Sequence, residues 1–262
     1  MSLDDKVLGL SFKDILQMDN SNNGIGVTTR TVKDGKGTSS ALHISDDVVA
    51  IQPKNDDTTT AFAVSTKGGS GIFYCDTSTP RVYALGNDIN TQYGCFSVNN
   101  TSSANFIVNT HHALPFQSSS YGDVSYPPNF NTNTDPAETF TTSHGNGTKA
   151  SDIVPCFMNP MNNCTIDGVK CFIGSDTATG DTCRLHLFKY TFQNGSSSCL
   201  IDGEVVAYSA EHVNDGDEQV YQLPMTVSSA DITSGEIILA FFRSDSINSD
   251  YSIKVIVEYH LT

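Results

Sequence analysis

The chain opens with a short apolar segment at helical spacing, in front of a much more polar sequence. Ser11 and Asp14 stand three residues apart, as in a capping box, and the polar run 19–24 ends the segment. A helix this short is unstable alone in water, so we expect it to dock on a partner surface. The apolar residues of this predicted docking segment are Leu8, Leu10, Phe12, Ile15 and Leu16.

Residues 25–115 alternate between apolar and polar positions in short runs separated by Gly, Asp, Asn and Ser, a pattern typical of β-strands joined by turns. The runs hold few large apolar side chains, so one chain would have too thin a core for an independent domain. We therefore predict strands that complete their core by pairing with other copies. The predicted oligomerisation core is Phe62, Val64, Phe73 and Val82.

Residues 116–150 show no periodicity and contain Pro127 and Pro128, which indicates a linker or long loop. The remainder, 151–262, is denser in apolar residues, and its steadily spaced runs predict an antiparallel, jelly-roll-like β-sandwich. The seven strand candidates are 152–158, 164–174, 183–192, 199–210, 218–227, 236–244 and 251–261. The predicted fold is all-β throughout, in four regions: 1–40, 41–115, 116–150 and 151–262.

Composition restricts the partners. The chain of 262 residues carries a formal net charge of −15, and its basic residues are scattered. Nucleic-acid binding needs clustered Lys and Arg, so a nucleic-acid partner is not expected. No basic leader precedes an apolar run, and the longest apolar run, 237–242, is too short to span a membrane. We expect synthesis in a cytoplasm without export by the secretory route.

Candidate chemistry is sparse. The seven cysteines form no C-x-x-C pair, which favours reduced, packed thiols over a zinc site, with a disulfide formed outside a cell as the alternative. His111 and His112 are adjacent, so on one strand they point to opposite faces and do not easily share a metal within one chain. We expect an ordinary solvated or hydrogen-bonded pair, and the alternative is that one of them forms a ring around the axis of a threefold assembly.

A carboxylate group, Asp215, Asp217 and Glu218, surrounds Gly216 in a sequence that first of all predicts a tight hairpin turn. A cation site or an acid/base pair is the alternative reading of the same carboxylates. None of the common catalytic or phosphate-binding motifs is present. We predict no enzyme activity, no cofactor and no metal.

Three stretches of the sequence resemble structural proteins of tailed bacteriophages, particularly fibre-like and adhesin-like proteins of marine phages. FKDILQMDNSNNGI followed by TRTVKDGKGTSSALHIS is similar to their amino-terminal segment. TAFAVSTKGGSGIFYCDTSTPRVYALG is similar to a stalk repeat, with Cys75 where Val is usual, and occurs once. The region 153–262 resembles a fibre-tip module.

The resemblance implies a non-enzymatic virion protein made in the host cytoplasm, most simply a short homotrimeric tail fibre for host attachment. Residues 1–40 would dock on other virion proteins, 41–115 would form an intertwined stalk, and the sandwich would contact a host surface receptor, with a glycan among the candidates. A capsid decoration or head-fibre protein is the first alternative. A glycan-binding or glycan-degrading tip protein is the second.

Recognition is expected in loops at one end of the sandwich. If the chain joins the sandwich at Ser151 from the stalk side, the turns 159–163, 193–197 and 228–234 point outward, and the loops 175–181 and 214–217 point toward the stalk. Asn194 and Ser196 are the predicted receptor contacts.

Overall fold

The computed structural model divides the chain into two compact units, Met1–Asn90 and Thr91–Thr262, which we call unit 1 and unit 2. Both are built from antiparallel strands, so the all-β prediction is confirmed. The residues that the structure describes are 16–18, 23–102, 108–117, 130, 153–176, 179–196, 199–245 and 250–262.

Unit 1 contains two four-stranded sheets in which strands adjacent in sequence are also adjacent in space. Such meanders follow from the sequence, because each short run ends in turn-forming residues. The first sheet comprises β1 (Gln17–Met18), β2 (Arg30–Lys33), β3 (Ser39–Ile44) and β4 (Val49–Ile51). The second comprises β5 (Phe62–Ser65), β6 (Gly71–Asp76), β7 (Arg81–Ala84) and β8 (Asn87–Asp88).

Unit 2 is built on one ten-stranded antiparallel sheet. The main order across it is β10-β17-β12-β13-β15-β11-β18-β9, with β14 paired to β12 and β16 paired to β11. Its strands are β9 (Thr91–Ser102), β10 (His112–Ala113), β11 (Cys164–Asp176), β12 (Thr182–Phe192), β13 (Leu200–Ser209), β14 (His212–Val213), β15 (Glu218–Val227), β16 (Asp231–Ile232), β17 (Glu236–Ser244) and β18 (Asp250–Leu261).

Strand β15 joins the two halves of this sheet. From Glu218 to Pro224 it pairs with β11, and from Met225 to Val227 it pairs with β13. The change of partner follows Pro224, which has no backbone N–H to donate to a ladder. We call β9, β18 and β11 the β9 half, and β13, β12, β17 and β10 the β12 half. The two layers of the predicted sandwich are therefore halves of one continuous, curled sheet.

A large hydrophobic core draws side chains from both halves, including Phe96, Val255 and Cys171 from the β9 half and Leu185 and Phe242 from the β12 half. A second core lies on the opposite face of the β12 half, around Phe188, Tyr190 and Phe241. It includes Phe130 and Ile153, which come from outside the strands. The β12 half is thus buried on both faces, whereas the strands of the β9 half alternate between buried and more exposed residues.

Six of the seven strands predicted for this region occur close to their predicted positions. The candidate 152–158 is not a strand: Val154–Cys156 forms a 3₁₀ turn, and Met158 makes an isolated bridge to Ile238. Pro155 accounts for the difference, since proline cannot donate to a strand ladder.

The regions also divide differently from the sequence-based boundaries. The boundary at residue 40 falls within β3, and Thr91–Ser102, assigned to the stalk by sequence, pairs with β18 in unit 2. From the predicted linker, Phe130 is buried against Phe241 at a ring-centroid distance of 4.6 Å; most of that linker lies outside the described residues. Within the described part of the chain, no helix has the length and apolar character needed to cross a membrane.

Candidate functional surfaces

The predicted oligomerisation residues share one face of the second sheet of unit 1. Phe62 pairs with Cys75, which pairs with Val82, and Val64 pairs with Phe73. Directly paired residues point to the same face, as do residues two apart on one strand. The apolar and thiol residues on this face, called the apolar face below, are Phe62, Val64, Phe73, Cys75, Val82 and Ala84. Asn87 of the edge strand β8 pairs with Ala84 and lies beside them.

This apolar face is not covered within the described part of one chain. Phe62 is 41% exposed and Val64 is 46% exposed, and the other four residues are only partly buried. The rings of Phe62 and Phe73 meet edge to face at 6.2 Å, but this contact leaves both accessible. Each of the six side chains is apolar or a thiol, and the polar Asn87 stands next to them at the edge of the sheet.

The opposite face of the same sheet is mainly polar and aromatic, with Ile72 as a 40% exposed apolar residue among these groups. Tyr74 and Tyr83 stack at 4.7 Å, and Arg81 forms an ion pair with Asp88 at 3.1 Å. Tyrosine and charged groups tolerate water, so this face needs no cover. The sequence alternation therefore separates one face that tolerates solvent from one that does not.

The turn between β6 and β7 is fixed by Asp76. Its carboxylate accepts hydrogen bonds from the Ser78 hydroxyl at 2.6 Å, the Ser78 backbone N–H at 2.8 Å and the Thr79 backbone N–H at 3.0 Å. These bonds, with the Ser78 hydroxyl as the largest contribution, lower the pKa of Asp76 to about 2. The turn thus holds a carboxylate that is ionised at neutral pH.

The predicted docking segment lies almost wholly outside the described residues, which begin at Leu16. The side chain of Leu16 is 70% exposed, and Gln17–Met18 follows as a strand paired with β2. The helix predicted over the preceding residues, and Leu8, Leu10, Phe12 and Ile15 with it, are outside the described part of the chain. Leu16 itself is therefore not covered by the described part of the chain.

The predicted receptor contacts lie in the turn between β12 and β13. Asn194 is exposed and Ser196 is partly exposed, with Gly195 at a φ of 72° between them. This turn shares an end of unit 2 with the loops after Met158 and before Glu236: Thr191 pairs with Glu236. Ser234 bonds back to Asn163 and Met161 across that end.

The structure corrects the predicted point at which the chain enters unit 2. It joins at Thr91, not Ser151, and Thr91 pairs with His260 at the same end that carries the turn 193–197. The sequence argument that placed this end outward depended on Ser151, so it does not carry over. Asn194 and Ser196 stay predicted receptor contacts, and their exposure is the observation that is consistent with this role.

At the other end, the predicted carboxylate loop is a structural turn. Asn214 is fully buried, and its side-chain amide donates to the Asp181 backbone carbonyl at 3.1 Å and to the Tyr251 hydroxyl at 3.2 Å. Asp215 accepts a hydrogen bond from the Tyr221 hydroxyl at 2.7 Å. These contacts support the interpretation of the sequence as a turn.

The histidine pair is buried, with His111 1% and His112 2% exposed. The His111 ring packs against His186 at a centroid distance of 5.2 Å. Side chains buried in this way within unit 2 cannot line a solvent-facing ring around a threefold axis. The alternative of a shared metal ring is therefore not supported by their position.

All seven cysteines are free thiols, and five of them are buried. Burial raises the pKa of the Cys164 thiol to about 11 and that of the Cys183 thiol to about 12, and raises that of Cys171 further. A thiol with a raised pKa is a poor nucleophile and a poor metal ligand. The described residues contain no group of three or more His, Cys, Asp or Glu side chains arranged to hold a metal ion.

Comparisons with known proteins do not place the chain in a family. No family model and no curated protein matches the chain. Among solved structures, a chain of "Structure of infectious bursal disease virus Gt strain" is similar at 10% identity and a TM-score of 0.16, covering 95% of this chain and 74% of that one. A likeness at this level carries no argument about fold or function.

Proposed function

We propose that the chain is a non-enzymatic virion protein that assembles as a homotrimer, most simply a short tail fibre for host attachment. Unit 1 supplies the stalk, unit 2 is the tip that contacts a host surface, and the segment before Leu16 docks on the virion. The resemblance of the sequence to phage fibre proteins supports the class of protein. The apolar face of unit 1 is the observation that supports assembly.

The argument for assembly starts from what unit 1 buries. Among its described residues, Val32 is the single hydrophobic side chain that is buried. Two four-stranded sheets with so little core are only marginally stable in water. The apolar face concentrates six side chains that water does not stabilise, so a second and third copy of the same face are the simplest cover.

Covering the apolar face in an assembly contributes favourable burial energy. Full burial of a Val or Phe side chain contributes about 1.5–3 kcal/mol, so completing the burial of a half-exposed one contributes roughly 1 kcal/mol. Phe62 and Val64, at 41% and 46% exposed, therefore add about 2 kcal/mol per chain in an assembly, and the partly buried Phe73 and Val82 each add less. A closed cyclic arrangement also leaves no apolar face unpaired, which an open chain of copies does not achieve.

The experiment that tests assembly is light scattering on the purified full-length chain at low micromolar concentration. We expect the mass of a trimer, three times 28.2 kDa. A stable, folded monomer would contradict the proposal. The same preparation examined for turnover of host polysaccharide tests the non-enzymatic part of the proposal, because released oligosaccharide would instead support a degrading tip protein.

The docking role of the first residues is tested on particles. Removing residues 1–20 should abolish incorporation into virions while unit 2 stays folded. Phe12→Ala with Leu16→Ala should weaken incorporation, because loss of a buried large apolar side chain costs about 2–5 kcal/mol. Truncated protein that still copurifies with virions would place the anchor elsewhere, and localisation of the chain on the particle separates a tail fibre from a capsid fibre.

A further inference from the structure

The solvent-facing surface of the β9 half contains a cleft. Side chains of Val169, Val255 and Val257 point into the core, so the alternating positions on the same strands point outward. On that outer surface Glu258 pairs with Tyr93 on one side and with Gly168 on the other. The cleft has a volume of about 400 Å³ and is lined by Tyr93, Gly168, Val169, Lys170, Ile256 and Glu258.

A glycine and a strand irregularity create the cleft. The register of β11 against β18 shifts between Ile166 and Gly168, and at Gly168 the row of outward side chains is interrupted. A Cβ built on Gly168 would meet one atom within 4 Å, Oε2 of Glu258 at 3.9 Å. The space beside Glu258 is therefore open because of the missing side chain, and a larger residue at this position would fill it.

The cleft presents two kinds of surface. Tyr93 is 63% exposed, and with Ile256 on the neighbouring strand it supplies an apolar wall. Glu258 and Lys170 supply a carboxylate acceptor and an ammonium donor, and the Tyr93 hydroxyl lies 3.5 Å from Oε1 of Glu258. An apolar wall with a few polar groups that fix orientation is the usual composition of a small-molecule site.

We propose that this cleft binds one uncharged pyranose ring of a host surface glycan. A pyranose has an apolar face of C–H groups, which fits an exposed tyrosine ring, and a rim of hydroxyls that both donate and accept hydrogen bonds. Glu258 accepts from such hydroxyls and Lys170 donates to them. The net charge of −15 disfavours an anionic saccharide over a neutral one.

The inference rests on the proposed function only for the source of the glycan, which is a host surface. Binding of the saccharide itself is measured on the isolated protein. Saturation-transfer NMR on the full-length chain measures it directly. The probes are the methyl glycosides of glucose, galactose, mannose and N-acetylglucosamine at millimolar concentration, with methyl glucuronide as the anionic comparison. We expect at least one neutral glycoside to receive saturation on its ring C–H protons.

Four variants test whether the signal comes from the cleft. Tyr93→Ala should weaken binding by about tenfold or more, and Tyr93→Phe should retain most of it, because the ring carries the contact. Gly168→Val should weaken binding by filling the cleft, since a Cβ fits there at ordinary contact distance. Val220→Ala is the matched control: Val220 is 78% exposed on the outer side of the neighbouring strand and lies outside the cleft.

The outcomes separate this inference from the proposed function. Saturation of a neutral glycoside that Tyr93→Ala and Gly168→Val reduce, and Val220→Ala does not, supports it. Absence of saturation with all four neutral glycosides, saturation that is insensitive to Tyr93→Ala, or stronger binding of the glucuronide overturns it. In each of those three cases, a trimeric mass and incorporation into virions would leave the proposed function standing.

Discussion

Unit 1 and unit 2 use the same antiparallel strands with opposite results for their apolar side chains. In unit 2, Phe241 and Phe242, adjacent on β17, are both fully buried, because the β12 half has a core on each face. In unit 1, Phe62 is 41% exposed although it belongs to an equally regular sheet. The difference lies in what covers each face, and not in the strands themselves.

The contrast teaches that secondary structure and core formation are separate problems. A sheet of four short strands satisfies its backbone hydrogen bonds but buries little surface unless another layer covers it. Unit 2 makes its own second layer by curling one sheet through β15 and by adding Phe130 and Ile153. Unit 1 has no comparable layer among its described residues, which is why assembly is proposed for it and not needed for unit 2.

The largest effect should come from the unit 2 core. Phe241→Ala should lower the free energy of unfolding by about 3–5 kcal/mol, because Phe241 is fully buried and contacts Phe130, Phe188 and Tyr190. Denaturant unfolding of the purified chain measures the loss. Phe192→Ala, at a 41% exposed phenylalanine, is the matched control and should cost under about 1 kcal/mol. Equal losses in the free energy of unfolding for the two variants would show that burial of Phe241 does not account for its contribution.

The next effect concerns the apolar face. Phe62→Asp with Val64→Asp should shift the trimer to monomers, because a charged side chain cannot be buried against apolar groups without a partner. We expect the dissociation constant to rise by about a hundredfold or more, measured by sedimentation, while unit 2 keeps its unfolding transition. Ala63→Asp, on the same strand but the opposite face, should leave the mass unchanged. If Ala63→Asp also dissociates the trimer, the contact between copies is not confined to the apolar face.

A smaller effect is expected at the loops. Asn194→Lys with Ser196→Lys should reduce adsorption of virions to host cells without lowering thermal stability, because both residues are at least partly exposed. The comparison is Asp176→Lys with Asp181→Lys, at the end that carries Asn214. A loss of adsorption confined to the second pair would move recognition to that end of unit 2.

The smallest effect is a pH dependence in unit 1. Because the pKa of Asp76 is lowered from 3.8 to about 2, its ionised form stabilises the folded state above pH 3.8, and this contribution is lost as the pH falls toward 2. Asp76→Asn should therefore lower the thermal midpoint of unit 1 at pH 7, and the difference from the unchanged chain should disappear near pH 2. A difference that persists at pH 2 would show that the ionised carboxylate is not the cause.

Much of the fold was predictable from local patterns. The alternation in β18 and in β6 predicted strands, and it placed Phe62 with Val64 and Phe73 with Cys75 on one face of their respective strands. The register then shows that the two pairs lie on the same face of the sheet. Turn residues fixed the ends of these strands. Local patterns suffice here because alternation along a strand determines which side chains share a face.

Other features were beyond the sequence pattern. Thr91–Ser102 reads like the short strands before it, and only its pairing with β18 places it in unit 2. Phe130 stands alone in a polar stretch, so no period marks it as a core residue. The sequence missed the cleft because Glu258, Tyr93 and Gly168 come from three separate strands.

By itself, therefore, the sequence determined where most of the strands run, which of their faces are apolar, and that the chain is acidic and has few candidate catalytic or metal-binding residues. The tertiary structure alone decided which faces are covered, where the chain passes from unit 1 to unit 2, and that a tyrosine, a carboxylate and a glycine lie side by side. The physical reason is that burial depends on contacts between residues far apart in the chain, as Glu258 and Tyr93 are. Alternation, by contrast, depends only on neighbours.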